Sequence, residues 1–243
     1  MRRLYIALVL VLVVFLPVSA APMIVDASSN IFGAGHSSTP NPGGVFSSDA
    51  GYTGTLPPLY SLTAGLNIVQ FPTITGTVNC CSDKPAAGPE GGNYFQTDLS
   101  PLSGLSGIQG PGNMFLVGVF LSGFEPSGTG PTALNFTNTG IGTNFSSINP
   151  LLNQVFFIGD GRKNDGTTIQ SFIAPAGATR LYLGFADGVG FVGDPGAYGD
   201  NTGALSVSIT QPEGAPEPAS VMLFLSGALG LFAARKFRKP TQS

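Results

Sequence analysis

The sequence predicts an all-β fold, a single β-sandwich, and three observations support this class. Short runs of β-branched and aromatic residues alternate with glycine, proline, asparagine and aspartate, which is typical of strands joined by turns. The 243 residues include 35 glycines and 20 prolines, and both residue types disfavour helices. Between the two ends of the chain, no segment keeps a helical apolar period beyond two turns. A sandwich is expected because such strands must cover one another's apolar faces.

The clearest strand is residues 66–71, where apolar and polar side chains alternate as in a half-buried strand. Residues 74–78 continue it, either as a pairing partner or as a bent extension of the same strand. Residues 114–121 are the most apolar of the internal strands. With the further segments 23–26, 154–158, 168–173, 180–186 and 204–210, the sequence predicts at least six strands.

Catalytic residue sets have little support in this sequence. Residues 33–55 are rich in glycine, serine, proline and threonine and are predicted to form a long loop. This loop contains His36, the only histidine, which we expect to be solvated rather than to bind a metal. One loop histidine and two adjacent cysteines support neither a Ser/His/Asp nor a Cys/His nucleophile. We therefore expect a protein that is not an enzyme.

The N-terminal end has the organisation of a secretory signal peptide. A charged start with Arg2 and Arg3 precedes the apolar segment 4–16, and small residues follow at 18–20. The sequence predicts cleavage after Ala20, with retention as an uncleaved anchor as the alternative.

The C-terminal segment 219–234 contains 16 residues and no ionisable side chain. As a helix it would span roughly 24 Å, and snorkelling of the basic side chains that follow would extend it towards the ~30 Å hydrocarbon core. It is predicted to be a transmembrane helix, with a buried C-terminal helix of a soluble domain as the alternative. The positive-inside rule places in the cytoplasm the four basic residues that follow, Arg235, Lys236, Arg238 and Lys239.

The triplet Pro216, Glu217 and Pro218 stands immediately before this apolar segment. Triplet, apolar run and basic cluster in this order resemble the PEP-CTERM sorting signal. The resemblance implies that an exosortase-type sorting protease in the inner membrane recognises the tail and cleaves near the triplet. It also implies a Gram-negative, exopolysaccharide-producing bacterium. The chain would be exported, anchored in the inner membrane at least transiently, and then delivered to the cell surface or the extracellular matrix.

The predicted division of the chain is a signal peptide at 1–20, a β-sandwich ectodomain at 21–214 and a sorting segment at 215–243. Residues 21–218 contain 13 acidic side chains but only four basic ones, so the exported part is strongly acidic. We expect no nucleic-acid partner, because nucleic-acid binding needs a basic surface. The acidic charge is compatible with binding of divalent cations.

Cys80 and Cys81 are the only cysteines, and they are adjacent. Cysteines in an exported protein usually pair, although adjacent Cα atoms are closer than the usual disulfide range and their ring would be strained. The sequence slightly favours a disulfide between them, and it leaves open a free thiol pair or an intermolecular bridge. A metal site is disfavoured because no further cysteine or nearby histidine completes a tetrahedral set.

Oxygen-bearing side chains are concentrated between the last two predicted strands. Asp187, Asp194, Asp200 and Asn201 lie in the loop that joins them, and we expect these side chains to gather near the tip of a hairpin. Calcium takes six to eight oxygen ligands, some of them carbonyls that glycine-rich turns can supply. The same residues also serve plain turn geometry, so the pattern alone leaves both interpretations open.

This stretch is similar to the C-terminal hairpin of the PA-I galactophilic lectin family, small calcium-dependent bacterial sandwiches. The matching features are Asp187 at a strand end, a Pro-Gly-x-Tyr turn at 195–198 and an Asp-Asn-Thr-Gly corner at 200–203. The family places a sugar-contacting histidine and glutamine after a Gly-Pro step, whereas residues 93–98 here contain no histidine. Galactose specificity is therefore not implied, although binding of an extracellular glycan remains an expectation.

The lectin resemblance also implies a set of calcium ligands. Because the insertion 188–194 is longer than in the family, Asp194 competes with Asp187 for the acidic role. The implied ligands are Asp187 or Asp194, the carbonyl of Ala197, Asp200, Asn201 and a carbonyl of the loop 79–82.

Two function classes remain open from the sequence. In one, a surface protein holds calcium and presents it to a glycan of the exopolysaccharide. In the other, a structural protein of the envelope or the exopolysaccharide matrix has no specific ligand, and the acidic loop is a plain turn.

Overall fold

The computed structural model describes residues 21–41 and 52–212, which form strands joined by turns. Helical structure in this part of the chain is limited to three short 3-10 turns, at Ile31–Gly33, Val189–Phe191 and Tyr198–Asp200. The all-β class predicted from the sequence is therefore confirmed. The strands are β1 (Met23–Asp26), β2 (Leu59–Ser61), β3 (Ile68–Asn79), β4 (Thr97–Leu99), β5 (Ile108–Gly110), β6 (Leu116–Leu121), β7 (Leu134–Asn135), β8 (Ser147–Ile148), β9 (Val155–Phe157), β10 (Ser171–Ile173), β11 (Arg180–Phe185), β12 (Val192–Gly193) and β13 (Thr202–Thr210).

The first sheet has the strand order β1-β13-β3-β10-β8 and is organised by its two longest strands. β3 and β13 pair in antiparallel fashion from Asn79 opposite Thr202 to Gln70 opposite Thr210. The segments 66–71 and 74–78 are therefore parts of one continuous strand. Gly76 is required at the centre of this ladder, because a Cβ atom there would lie 2.3 Å from the carbonyl oxygen of Ala204.

The middle sheet has the order β2-β11-β6-β9 and is covered on both faces. Every residue of β6 and β9 is buried, in agreement with the apolar character of the segment 114–121. Successive residues of β9 contact different partners: Phe156 packs against Phe172 of the first sheet, whereas Phe157 packs against Phe136, just after β7. The buried apolar residues of the three sheets belong to one contiguous cluster.

Phenylalanine rings connect the first and middle sheets. The ring centroid of Phe172 in β10 lies 5.2 Å from that of Phe71, 5.4 Å from that of Phe156 and 5.8 Å from that of Phe145. Aromatic pairs at such separations add stabilisation beyond the area that they bury. Phe172 therefore anchors the packing between the two sheets.

The third sheet, in the order β12-β4-β5-β7, was not predicted. Its strands are two or three residues long, which is too short for apolar alternation to be visible in the sequence. Two of its three pairings, β4 with β12 and β5 with β7, are parallel and join strands far apart in sequence. Only tertiary contacts bring such strands together.

Two expectations from the sequence are wrong. The segments 180–186 and 204–210 do not form a hairpin, because β11 pairs with β2 and β6 in the middle sheet and β13 pairs with β1 and β3 in the first sheet. His36 is not freely solvated: its Nδ1 lies 2.7 Å from Glu125 Oε1, and its Nε2 lies 3.0 Å from the carbonyl oxygen of Ser103. The predicted loop around it starts in a buried 3-10 turn, so the chain there packs against the sheets.

The predicted signal peptide, the transmembrane helix at 219–234 and the basic tail lie outside the described residues. Within 21–41 and 52–212, no helix is long and apolar enough to cross a membrane.

Replacing Phe172 with alanine tests the aromatic contact between the sheets. We expect the free energy of unfolding to fall by about 3–5 kcal/mol, because the substitution leaves a cavity among three rings. Urea unfolding of the purified protein measures this loss. Phe124→Ala is the matched control: this ring is 83% exposed, so the change should stay within about 0.5 kcal/mol. Equal losses for the two variants would contradict the role given to Phe172.

Candidate functional site

The chain crosses from the middle sheet to the first sheet between the end of β11 and the start of β13. This crossover, residues 186–201, contains two of the 3-10 turns and the short strand β12. An antiparallel bridge between Gly188 and Pro195 closes an inner loop, which corresponds to the insertion noted in the sequence. The polar residues that sequence analysis selected as calcium ligands therefore belong to a crossover rather than a hairpin tip.

Tyr198 anchors the crossover to the end of β11. Its ring is buried, and its hydroxyl donates a hydrogen bond to the Phe185 carbonyl oxygen at 2.9 Å. The same hydroxyl oxygen accepts a hydrogen bond from the backbone N–H of Asp187 at 3.1 Å. One side chain thus satisfies two backbone groups that the end of the strand would leave unpaired.

The Asp187 side chain is buried beside this anchor, with 2% of the residue exposed. The backbone N–H of Gly188 donates to its Oδ1 at 2.7 Å, and the side-chain amide of Asn201 donates to its Oδ2 at 2.8 Å. No lysine or arginine of the described segments forms an ion pair with it. Burial raises the pKa of Asp187 well above its usual value; the two hydrogen bonds oppose this effect, and the charge of Asp200 adds to it.

Asn201 carries a buried oxygen without a partner. Its amide nitrogen donates to Asp187 and to the carbonyl oxygen of Ala27, at 3.2 Å, which fixes the orientation of the amide group. In this orientation Oδ1 is buried and has no hydrogen-bond partner among the described residues. Such an atom is costly unless a water molecule or an ion binds it. We call Asp187, Asp200 and Asn201 the acidic corner.

A cavity of about 450 Å³ opens beside the acidic corner. Asp187, Asp200 and Ala197 are among the residues that line it. The lining also includes the aromatic residues Tyr52, Phe95 and Phe191, which we call the aromatic wall, and the adjacent cysteines, Cys80 and Cys81, which form a disulfide. The rings of Phe95 and Phe191 are stacked, with centroids 5.5 Å apart. The cavity thus combines two acidic side chains with aromatic rings and a disulfide.

Two residues that line the cavity have backbone conformations that favour glycine. Phe191 has φ of 61° and Ala197 has φ of 65°, in the left-handed region. A non-glycine residue there costs about 1–2 kcal/mol, and surrounding contacts must compensate for it. The ring of Phe191 stacks on that of Phe95. Strained residues of this kind are concentrated at functional sites.

The structure brings together most of the residues that sequence analysis selected. Asp187, Asp200, Ala197 and the cysteine loop share one cavity, and Asn201 binds Asp187 directly. Asp194 is exposed and is not among the residues that line the cavity. Across 21–41 and 52–212, no three histidine, cysteine, aspartate or glutamate side chains are grouped to hold a metal. A cation here would therefore rely on amide and carbonyl oxygens in addition to the two carboxylates.

Sequence reasoning missed the aromatic wall. Phe95 lies in a stretch noted only for lacking a histidine, and Phe191 lies in the insertion 188–194. Neither position shows a local pattern, because the two rings meet only through the folding of β4 and the crossover. Tyr198 was visible as part of the Pro-Gly-x-Tyr turn, although its role as a hydrogen-bonding anchor was not.

The ionisation of Asp187 predicts how stability depends on pH in the absence of metal. Because its pKa is raised in the folded state, the folded protein binds the proton more tightly than the unfolded chain does. The stabilisation is complete below about pH 4, the unfolded pKa, and is lost as the pH rises through the folded pKa. We therefore expect the melting temperature in chelator to fall as the pH rises above about 4.

The variant Asp187→Asn should show a smaller dependence of melting temperature on pH, measured as a slope rather than as an absolute value. Desolvation also raises the pKa of Glu90, to about 7, and the charge of Asp160 adds to this effect while its backbone N–H opposes it. A residual slope is therefore expected, and Glu90→Gln should remove part of it. A slope unchanged by Asp187→Asn would show that the buried carboxyl does not titrate as proposed.

The comparisons with known proteins concern the C-terminal end. Residues 215–239 match the PEP-CTERM protein-sorting motif. No curated protein and no solved structure matches the chain. The similarity to the PA-I lectin family therefore rests on sequence motifs alone, without support from these comparisons. The motif implies processing by exosortase, a membrane protein, and export with sorting to the cell envelope of a Gram-negative bacterium.

Proposed function

We propose that this envelope-sorted protein is a non-enzymatic binding module that holds a calcium ion at the acidic corner and binds an extracellular glycan beside it. Two neighbouring groups of the described residues carry the proposal. One is a buried carboxyl group with no basic partner, and the other is a buried amide oxygen with no hydrogen-bond partner. Asp187 is buried without a basic residue paired to it, and Asn201 Oδ1 beside it is unpartnered. A divalent cation would satisfy both groups.

The chemistry of the neighbouring groups suits calcium. Asp200 adds a second carboxylate that lines the same cavity, and Ala197 lines it in a left-handed conformation at the start of the 3-10 turn Tyr198–Asp200. Calcium accepts carboxylate, amide and carbonyl oxygens together with water in flexible geometry. Two carboxylates balance the charge of the ion, so no additional acidic group is needed.

The cavity supports the glycan part of the proposal. Sugars present hydroxyl groups on their edges and apolar C–H groups on their faces, and a site that contains both polar groups and aromatic rings suits them. Here Asp187 and Asp200 supply polar groups, and Phe95, Phe191 and Tyr52 supply aromatic rings. Sorting to the cell envelope would bring this cavity into contact with extracellular glycans.

The alternative is a structural protein of the envelope or matrix with no specific ligand. It is favoured by the hydrogen bonds that Asp187 already receives from Gly188 and Asn201, since a protonated carboxyl would be nearly satisfied there. In that case the acidic corner only closes the crossover.

Calcium titration separates the two functions. For the purified full-length protein in detergent, we expect millimolar calcium to raise the melting temperature and a chelator to reverse the rise, because an ion that binds only the folded state stabilises it. Calcium should also reverse or abolish the fall in stability as the pH rises, because it replaces the proton on Asp187. Asp200→Asn should weaken the calcium response by about tenfold or more in concentration.

The control for this titration is Asp98→Asn, an exposed carboxylate of β4 outside the acidic corner, which should leave the response unchanged. An array of bacterial polysaccharides probed with and without calcium then tests the glycan. A melting temperature indifferent to calcium and to chelator would exclude the binding module and leave the structural function.

The sorting motif makes a separate prediction. Replacing Pro216, Glu217 and Pro218 with alanine should leave the chain unprocessed and associated with the inner membrane, because the matched segment loses the triplet at its start. Cell fractionation and mass spectrometry of the mature C-terminus measure the effect in a host that carries an exosortase. Pro212→Ala, just outside the matched residues, is the control and should mature normally. Normal processing of the triple variant would contradict a role for the triplet.

A further inference from the structure

We propose that the Cys80–Cys81 disulfide is a thiol-exchange site, and that its opening by a small-molecule thiol remodels both the acidic corner and the segment that carries Phe95. The disulfide lines the same cavity as Asp187, Asp200 and the aromatic rings. Its two cysteines differ in exposure, and separate contacts link them to the acidic corner and to the aromatic wall.

The exposure of the two cysteines determines where a thiol attacks. Cys80 is 4% exposed and packs in the hydrophobic core, whereas Cys81 is partly exposed. A thiolate must approach one sulfur in line with the bond that breaks, so access selects the sulfur that is attacked. Cys81 is therefore the site of attack, and Cys80 is the leaving group.

The turn that carries the disulfide is joined to the acidic corner through β3 and β13. Asn79 ends β3 and pairs with Thr202, the residue directly after Asn201. Its side chain closes the cysteine turn, because Oδ1 accepts from the N–H of Cys81 at 3.1 Å and Nδ2 donates to the carbonyl oxygen of Lys84 at 2.7 Å. A change in this turn therefore reaches the corner across a single rung of the ladder.

A second set of contacts joins the disulfide to the aromatic wall. The side-chain amide of Asn113 donates to Cys80 Sγ at 3.5 Å, and its Oδ1 accepts from the N–H groups of Tyr94 and Phe95. The ammonium group of Lys84, in the cysteine turn, lies 5.7 Å from the centre of the Tyr94 ring. The segment that carries Phe95 is thus held by groups that contact the disulfide.

The exchange reaction balances with a thiol as the only co-reactant. A thiolate RS⁻ bonds to Cys81 Sγ, the bond between the two cysteine sulfurs breaks, and Cys80 leaves as a thiolate that takes a proton from solvent. A second thiol attacks the mixed disulfide to release RSSR, leaving two cysteine thiols; the protein is reduced by two electrons and the thiols are oxidised. The eight-membered ring that constrains adjacent cysteines is lost at the first step.

The consequence for ligand binding rests on the proposed calcium site, whereas the exchange and the remodelling do not. With the ring open, the cysteine turn no longer holds Asn79 and Asn113 in their present arrangement. We expect the acidic corner and the Phe95 segment to become more mobile together, and calcium affinity to fall by about tenfold or more, within the usual range of coupling between sites.

The test uses the full-length protein in detergent and chelator, treated with β-mercaptoethanol, quenched in acid and mapped by mass spectrometry. We expect one thiol to be incorporated, at Cys81, with Cys80 recovered as a free thiol. Hydrogen exchange, measured on the same samples, should rise at residues 93–95 and 200–203. The variant with both cysteines changed to serine should show the raised exchange without treatment and should incorporate no thiol.

The proposal is overturned if the native protein incorporates no thiol while the urea-unfolded chain does, or if the thiol attaches to Cys80. It is also overturned if exchange rises only at 79–84. These measurements on the unsubstituted protein stand even where the serine variant fails to fold. Calcium affinity of the oxidised and reduced protein is measured separately: no binding in either state would exclude the calcium site and leave the thiol-exchange result unaffected.

Discussion

The site depends on one constraint, a buried carboxyl group at the point where the chain leaves the middle sheet. Asp187 follows β11, and the residue that binds its side chain, Asn201, directly precedes β13. This contact closes the crossover at both ends. A buried carboxylate is costly without a positive partner, so the stability of the crossover depends on whether a proton or a cation neutralises it. The cavity and its electrostatics follow from that placement.

The sheets around the acidic corner are held together by ring packing and strand pairing that do not depend on a bound ligand. Phe172 and its neighbouring rings hold the first and middle sheets together, and the long pairing of β3 with β13 sets Asn79 opposite Thr202. The cysteine turn and the acidic corner are therefore positioned by a sheet ladder, although both lie in loops. Functional groups on loops that a rigid scaffold positions are a common arrangement. This ladder explains how a change at the disulfide would reach the ligand side of the cavity.

The sorting motif and the proposed binding site lie in separate parts of the chain. The motif at 215–239 is a linear signal, and it says where the protein is delivered without specifying a ligand. The chemistry that would select a ligand lies in the crossover and in the cavity beside it. The composition is compatible with both, because residues 21–218 contain 13 acidic and only four basic side chains, a charge that suits binding of divalent cations. Calcium at the acidic corner would then depend on delivery as well as on folding.

By itself the sequence determined the all-β class, the longer strands, the sorting motif and the residue types of the acidic corner. These features depend on local periodicity, turn chemistry and linear order. Tertiary structure alone decided that β11 and β13 belong to different sheets, since strand pairing depends on contacts between distant segments. It also separated Asp187, which is buried in the corner, from Asp194, which remains exposed outside it. The stack of Phe95 on Phe191 likewise had no local signal, because the two rings come from segments that meet only in the folded chain.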